Sequence, residues 1–152
     1  MFKNNDIDEI ILTASGGPFL NTPINKLGKM KPAQAIKHPT WEMGKKISVD
    51  SATLMNKVLE LIEASKLIKF DIEKYRIMIH PQSYVHAIIR YKNGLIKMLL
   101  HETDMKIPIS NTIYGNKTKF ENIKKIDGSR LNKLRFFEVD SKRYPSVKLI
   151  KK

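Results

Sequence analysis

Lys46-Ile47-Ser48-Val49-Asp50-Ser51-Ala52-Thr53-Leu54-Met55-Asn56-Lys57-Val58-Leu59-Glu60-Leu61-Ile62-Glu63-Ala64 is the stretch from which the rest of the chain is read. Lys46–Val49 reads as a strand-like lead-in, and a helix follows. Asp50 or Ser51 is the expected N-cap, because either side-chain oxygen can accept from the first free N–H groups of a helix. On a 100° wheel Leu54, Val58, Leu61 and Ile62 fall on one side, and Asn56, Lys57, Glu60 and Glu63 on the other. The apolar side packs on a core. The polar side gathers an amide, an ammonium and two carboxylates.

That polar side admits two readings. In one it is a solvated face carrying an i,i+3 Lys57–Glu60 pair, worth about 0.2–0.5 kcal/mol. In the other it is an anion and metal site. A helix start offers N–H groups and a favourable dipole to a phosphate. Lys57 can meet the same phosphate as a point charge. Glu60, one turn on, can offer oxygen to Mg²⁺ or Mn²⁺.

Upstream, Ile7–Ala14 is a buried-strand candidate, rich in β-branched residues. Ser15-Gly16-Gly17-Pro18 breaks it, either as a plain tight turn or as a nest of N–H groups for an anion. Asn21–Lys37 reads as loop and one or two short helices, with Lys31-Pro32 opening one of them. His38-Pro39-Thr40-Trp41-Glu42-Met43-Gly44 fits no regular element. It is either a lid or a surface turn with Trp41 tucked into the core.

Downstream, Arg76–His80 alternates into a short strand that Pro81 ends. Val85–Tyr91 and Leu95–Leu100 flank Lys92-Asn93-Gly94, a hairpin signal, because Asn-Gly tolerates the positive φ of a tight turn. His80 and His86 read as hydrogen-bonded structural residues rather than metal ligands. Asn116–Lys133 is a polar connector, and Arg135–Val139 an edge strand or extended segment. The expected class is α+β, a small mixed or antiparallel sheet with helices packed on one face.

Composition narrows the function. The chain has 152 residues, enough for one core, and 41% hydrophobic content, enough for a globular fold. No apolar run reaches the ~20 residues of a membrane helix, and no targeting segment is recognisable at Met1. Cysteine is absent, which removes disulfides and thiolate metal sites. The net charge of +13 favours anionic partners. The lysines are spread along the chain with no interleaved aromatics, so neither nucleic acid nor a membrane is expected as partner.

Four segments, in order, resemble the 1-deoxy-D-xylulose 5-phosphate reductoisomerase family: Ile11-Leu12-Thr13-Ala14-Ser15-Gly16-Gly17-Pro18-Phe19, His38-Pro39-Thr40-Trp41-Glu42-Met43-Gly44, Lys45–Lys57, and Ile79-His80-Pro81-Gln82-Ser83-Tyr84-Val85-His86. Asp104-Met105-Lys106-Ile107-Pro108-Ile109 resembles a fifth. The chain departs from the family pattern at Val58, where glycine is usual, and at Thr103 and Lys106, where proline and arginine are usual.

The resemblance implies a small phosphorylated sugar as substrate and a role for each residue. Ser15, Ser51, Asn56 and Lys57 bind the phosphate. His38 contacts the substrate from a flap in which Trp41 and Met43 cover it. Gly44 lies against NADPH. Glu60 ligates Mg²⁺ or Mn²⁺ and, with His38, counts as catalytic. A homodimer through the hairpin sheet is also implied, in the bacterial cytoplasm or a plastid-type organelle.

Residues 1–115 would be the central catalytic domain and 116–152 a connector toward a C-terminal helical domain. No Gly-rich βαβ fingerprint is found, and the family's two other metal carboxylates have no match before Ser15. The expectation is a truncated reductoisomerase that does not turn over alone. The alternative is a non-catalytic phosphate-binding or structural remnant.

Overall fold

The structure, a computed structural model, describes residues 6–38, 41, 43–115 and 128–151. In chain order the elements are β1 (Ile7–Ala14), α1 (Ile24–Leu27), α2 (Pro32–Ala35), α3 (Lys45–Ala52), α4 (Met55–Ile68), β2 (Tyr75–Ile79), β3 (Val85–Tyr91), β4 (Ile96–Leu100), α5 (Lys106–Tyr114), α6 (Gly128–Leu131) and β5 (Phe137–Glu138). The sheet order is β4-β3-β1-β2-β5, with β1 and β2 parallel and the other pairs antiparallel. This is the expected α+β class with a mixed sheet.

β1 is the middle strand, and from Ile10 onward both of its faces are largely covered. That is why it reads as an apolar run rather than an alternating one. Its parallel partner β2 requires a crossover, and α1 to α4 supply it. On the helix side, Ile10 and Ala14 of β1 and Ile77 and Ile79 of β2 pack with Leu54, Leu61, Tyr75 and Tyr144. A smaller cluster of Ile11, Val85 and Ile88 fills the other side, against Met78, Leu134 and Phe136.

The local signals that were strong produced the expected elements. Pro32 opens α2, and the Gln34 side chain accepts from the Lys31 N–H at 2.8 Å. In the β3–β4 hairpin only Gly94 takes a positive φ, +86°. Asn93 instead accepts from the Leu95 N–H through its side chain. Phe137–Glu138 pairs along the edge of β2. The connector expected over 116–133 lies outside the described residues up to 127, and Gly128–Leu131 is a helical turn.

The lead-in to the central helix is a correction. Lys45–Ala52 is already helical, with Gly44 at its N-cap. The Ile47/Val49 alternation suggested a strand, yet both side chains are exposed, at 42% and 41%. The residues turned inward are Ser48 and Ser51, one helical turn apart. Their hydroxyls donate back to Gly44 and Ser48 carbonyls at 3.0 and 2.7 Å, so no polar hydrogen is stranded. Neither Asp50 nor Ser51 caps a helix. Asp50 pairs with Lys46 at 2.8 Å.

The helix breaks at Thr53-Leu54. Leu54 is left-handed, φ 59° and ψ 14°, and forms the N-cap of α4. Such a conformation costs on the order of 1–3 kcal/mol for a non-glycine residue. It is held because the Leu54 side chain is buried in the core. Its carbonyl accepts from the Lys57 and Val58 N–H groups, which starts the new helix. The buried stripe of α4 then runs Val58, Leu61 and Ser65. Val58, the departure from the family glycine, packs inward. Ile62, expected on this stripe, is exposed, and Ser65 takes the inward place by donating its hydroxyl to the Ile62 carbonyl.

The end of the chain fastens this break to β1. The Tyr144 hydroxyl donates to the Gly16 carbonyl at 2.8 Å, from a ring that is 2% exposed. Arg143 donates to the Phe19 carbonyl at 2.8 Å, and the Ser146 hydroxyl donates to the Thr53 carbonyl. Gly17, at φ +69°, passes so close that a Cβ there would sit 2.3 Å from the Ser51 carbonyl oxygen.

In urea unfolding, Tyr144→Phe is expected to cost about 1 kcal/mol, one buried hydrogen bond, and Tyr144→Ala about 3–5 kcal/mol. Gly17→Ala is expected to destabilise by about 2 kcal/mol or more, from left-handed strain and the clash with Ser51. Gly28→Ala, where nothing lies within 4 Å, is expected to be neutral or slightly stabilising.

Candidate functional site

A cavity of about 430 Å³ opens at the C-terminal end of β1. Ser15, His38, Trp41 and Met43 line it, and so do Ser51, Asn56, Lys57 and Glu60. Residues from three separate stretches of sequence therefore meet in one place. Gly44 does not line it; it sits exposed at the start of α3.

Ser15 stands just past β1, beside two glycines at φ +89° and +69°. Successive left-handed residues turn their N–H groups toward one concavity. The Ser15 oxygen accepts from the Gly17 N–H at 3.2 Å and lies 3.0 Å from His38 Nε2. His38 Nδ1 accepts from the Trp41 N–H at 2.9 Å. Nδ1 is therefore the bare nitrogen, and Nε2–H donates to Ser15. Burial lowers the pKa of His38, in keeping with a neutral ring. This one imidazole fastens the Trp41 loop to the glycine turn.

The first two turns of α4 supply the rest. The Asn56 amide oxygen is buried with no protein partner. Lys57 Nζ meets Glu60 Oε2 at 2.6 Å, with the lysine side chain 20% exposed and the glutamate 43%. The i,i+3 pair expected of this face is formed, and both of its residues line the cavity. The Ser51 hydroxyl donates to the Ser48 carbonyl, so an anion held by Ser51 would have to take over that hydrogen.

Both histidines set aside as structural are hydrogen-bonded to main-chain carbonyls, His80 to that of Arg135 and His86 to that of His101. His80 is fully buried, donates from Nδ1 to the Arg135 carbonyl, accepts from the Tyr84 N–H, and stacks on Phe136. The other, His86, lines the cavity, together with Ser83 and His101, to which the sequence reading gave no role. Ser83 is 6% exposed at φ 57°, and its hydroxyl has no partner among the described residues. A strained residue with an unused hydroxyl at a cavity is a functional candidate. Its sequence signal was its place in His80-Pro81-Gln82-Ser83; His101 carried none.

As for metal, Glu60 is the one carboxylate among the lining residues, and no group of three or more His, Asp or Glu suited to a metal occurs among the described residues. Mg²⁺ ordinarily takes one or two carboxylates together with phosphate oxygens and water. Glu60 fits as one ligand of such a set.

Residues 1–68 match the family model described as the 1-deoxy-D-xylulose 5-phosphate reductoisomerase C-terminal domain. The chain is 47% identical over 148 residues to 1-deoxy-D-xylulose 5-phosphate reductoisomerase of Pelagibacter ubique, covering 97% of this chain and 38% of that protein. It is 48% identical over 151 residues to the enzyme of Wolbachia pipientis, covering 98% and 39%. The fold matches a crystal structure of DOX-P reductoisomerase in complex with NADPH, fosmidomycin and magnesium, with TM-score 0.89 and 37% identity over 96% of this chain and 36% of that one. It also matches the Zymomonas mobilis enzyme in complex with NADPH, with TM-score 0.85 and 37% identity over 97% and 38%. The chain thus spans less than two fifths of the length of these relatives, and over that span it is similar in sequence and in fold to 1-deoxy-D-xylulose 5-phosphate reductoisomerases.

Proposed function

We propose that the cavity is the substrate pocket of 1-deoxy-D-xylulose 5-phosphate reductoisomerase. The parent reaction rearranges 1-deoxy-D-xylulose 5-phosphate to a branched aldehyde, and NADPH reduces that to 2-C-methyl-D-erythritol 4-phosphate. The observation that carries this reading is the convergence of Ser15, His38, Ser51, Asn56, Lys57 and Glu60 on one cavity.

In this reading the phosphate sits between the glycine turn and the start of α4. The turn's N–H groups, Ser15, Ser51 and Asn56 donate to its oxygens, and Lys57 supplies the charge. Holding that end fixes the position of the reacting carbons. His38 orients the sugar, and Trp41 and Met43 cover it and exclude water. Glu60 offers a carboxylate oxygen to Mg²⁺ or Mn²⁺. The ion, when bound, polarises the ketone oxygen as a Lewis acid. Gly44, exposed at the start of α3, would meet NADPH bound elsewhere in the enzyme.

Glu60, the one carboxylate among the described lining residues, favours a narrower statement for these 152 residues alone: they bind phosphate but do not turn over. We place the chain in a bacterial cytoplasm, as a homodimer formed through β3 and β4. Ile96, Met98 and Leu99 of β4 are exposed at 55%, 45% and 59%, an apolar edge suited to a second copy.

Calorimetry with inorganic phosphate is expected to detect binding that Lys57→Ala weakens by about tenfold or more, the loss of one charge-assisted contact. Affinity unchanged in Lys57→Ala would remove the reading. No NADPH consumption is expected from the chain with substrate and Mn²⁺. Consumption that disappears in Glu60→Ala would show instead that these residues suffice. Sedimentation is expected to give a dimer that Met98→Lys weakens; a monomer at all concentrations would contradict that assembly.

A further inference from the structure

One side of the cavity is a set of rings to which the reading above gives no task. His86 on β3 and His101, the residue after β4, lie face to face, with ring centroids 3.6 Å apart and planes 10° from parallel. The cause lies in the strand pairing. Val85 pairs with Leu100 and Ala87 with Leu99, so His86 is the extra residue of a β-bulge. A bulge re-aims the side chain it carries. The His101 N–H donates to the Tyr84 carbonyl at 3.1 Å, which continues the ladder past the bulge and fixes where the His101 ring stands.

Main-chain carbonyls settle which nitrogen carries the hydrogen on each ring. His86 Nε2 lies 3.2 Å from the His101 carbonyl oxygen, and His101 Nδ1 lies 2.6 Å from that of Glu102. A carbonyl only accepts, so His86 carries its hydrogen on Nε2 and keeps Nδ1 bare. On another side, the His86 ring meets Trp41 edge-on, with centroids 6.1 Å apart and planes at 67°. Glu102, next to His101, is held in turn by Arg130 at 2.6 Å.

We propose that His101 is a positioning residue of this pocket: its carbonyl fixes the His86 hydrogen on Nε2, and its stacked ring holds the His86 imidazole in the plane that supports Trp41. The proposal rests on the cavity being the substrate pocket. The groups that face His86 agree with it. His101 stands at the end of β4, Lys57 on α4 and His80 at the end of β2, and a positive charge on any of them opposes a second one on His86. Burial comes first, then the His101 ring; the hydrogen bond to the His101 carbonyl acts in the opposite direction, Lys57 and His80 add smaller lowering contributions, and the balance puts His86 at about 4. Lys57 is then the only described lining residue with a fixed positive charge, and an anion is drawn to its end of the cavity. His86 Nδ1 is left as an acceptor.

The test is ¹⁵N-resolved NMR of the histidine rings in the 152-residue chain, read beside the emission of Trp41, its only tryptophan. Wild-type His86 is expected to carry its hydrogen on Nε2 and to stay neutral down to about pH 5, below the ordinary histidine range. His101→Ala removes the ring and its charge but keeps the carbonyl. It is expected to raise the His86 midpoint by about one pH unit and to shift Trp41 emission at neutral pH.

His101→Phe restores a flat ring without the charge. It is expected to restore the emission and to leave the midpoint between the other two. The same hydrogen position, midpoint and emission in His101→Ala as in wild type would overturn the proposal. If His101→Ala fails to fold by circular dichroism, a His86 midpoint in His101→Phe equal to wild type would overturn it. Inorganic phosphate added to Lys57→Ala tests the pocket separately. Binding as tight as wild type would end the pocket reading, while the His86 signals would still judge what His101 does.

Discussion

The rest of the structure depends on the left-handed turn at Leu54. An uninterrupted helix through Lys45–Ile68 would carry Ser51 and Lys57 along one continuous cylinder. The break lets Ser51, at the end of α3, and Asn56, Lys57 and Glu60, on α4, border the same cavity. The conformation is unfavourable for leucine by itself. It persists because Leu54 is 1% exposed in the core and because the main chain around it is held from several sides. Gly17 presses on the Ser51 carbonyl from the β1 end. Ser146 donates to Thr53 and Tyr144 donates to Gly16 from the far end of the chain. The glycine turn and the helix start are thus placed by one buried assembly.

This dependence explains what could be read from residues in order. Elements with strong local chemistry were legible: β1 by its β-branched run, α2 by Pro32, the hairpin by Gly94, and α4 by its apolar stripe. The α3 helix was not, because its inward residues are serines, and a pattern argument looks for inward hydrophobics. The break was not legible either, since nothing in Thr53-Leu54-Met55 favours a left-handed residue. Contacts across the fold impose it. Tyr144 gave no local sign of lying in the core, since a single aromatic in a polar stretch takes its meaning from what it meets.

The site divides in the same way. Ser15, His38, Ser51, Asn56, Lys57 and Glu60 entered through motif resemblance, and geometry gathered them. Ser83 lay inside a quoted motif without a role. His86 and His101 became a pair only through a β-bulge that no sequence rule locates. The net charge of +13 turned out to say little about the cavity: among its lining residues Lys57 is the one fixed cation and Glu60 the one carboxylate, and the two are paired. His38 and His86 on its wall, and His80 in the core, all have pKa values lowered by burial. In the proposed reading, an anion there would be met by placed hydrogen-bond donors and the Lys57 ammonium, not by a general basic surface.

The most direct test of this convergence is amide chemical-shift mapping of the chain during titration with inorganic phosphate. The account predicts that the perturbed amides cluster at residues 15–17 and 51–57, on both sides of the Leu54 turn, with one common affinity. Perturbations scattered over the exposed lysines, or confined to the cleft between Gln82 and Arg135, would contradict it.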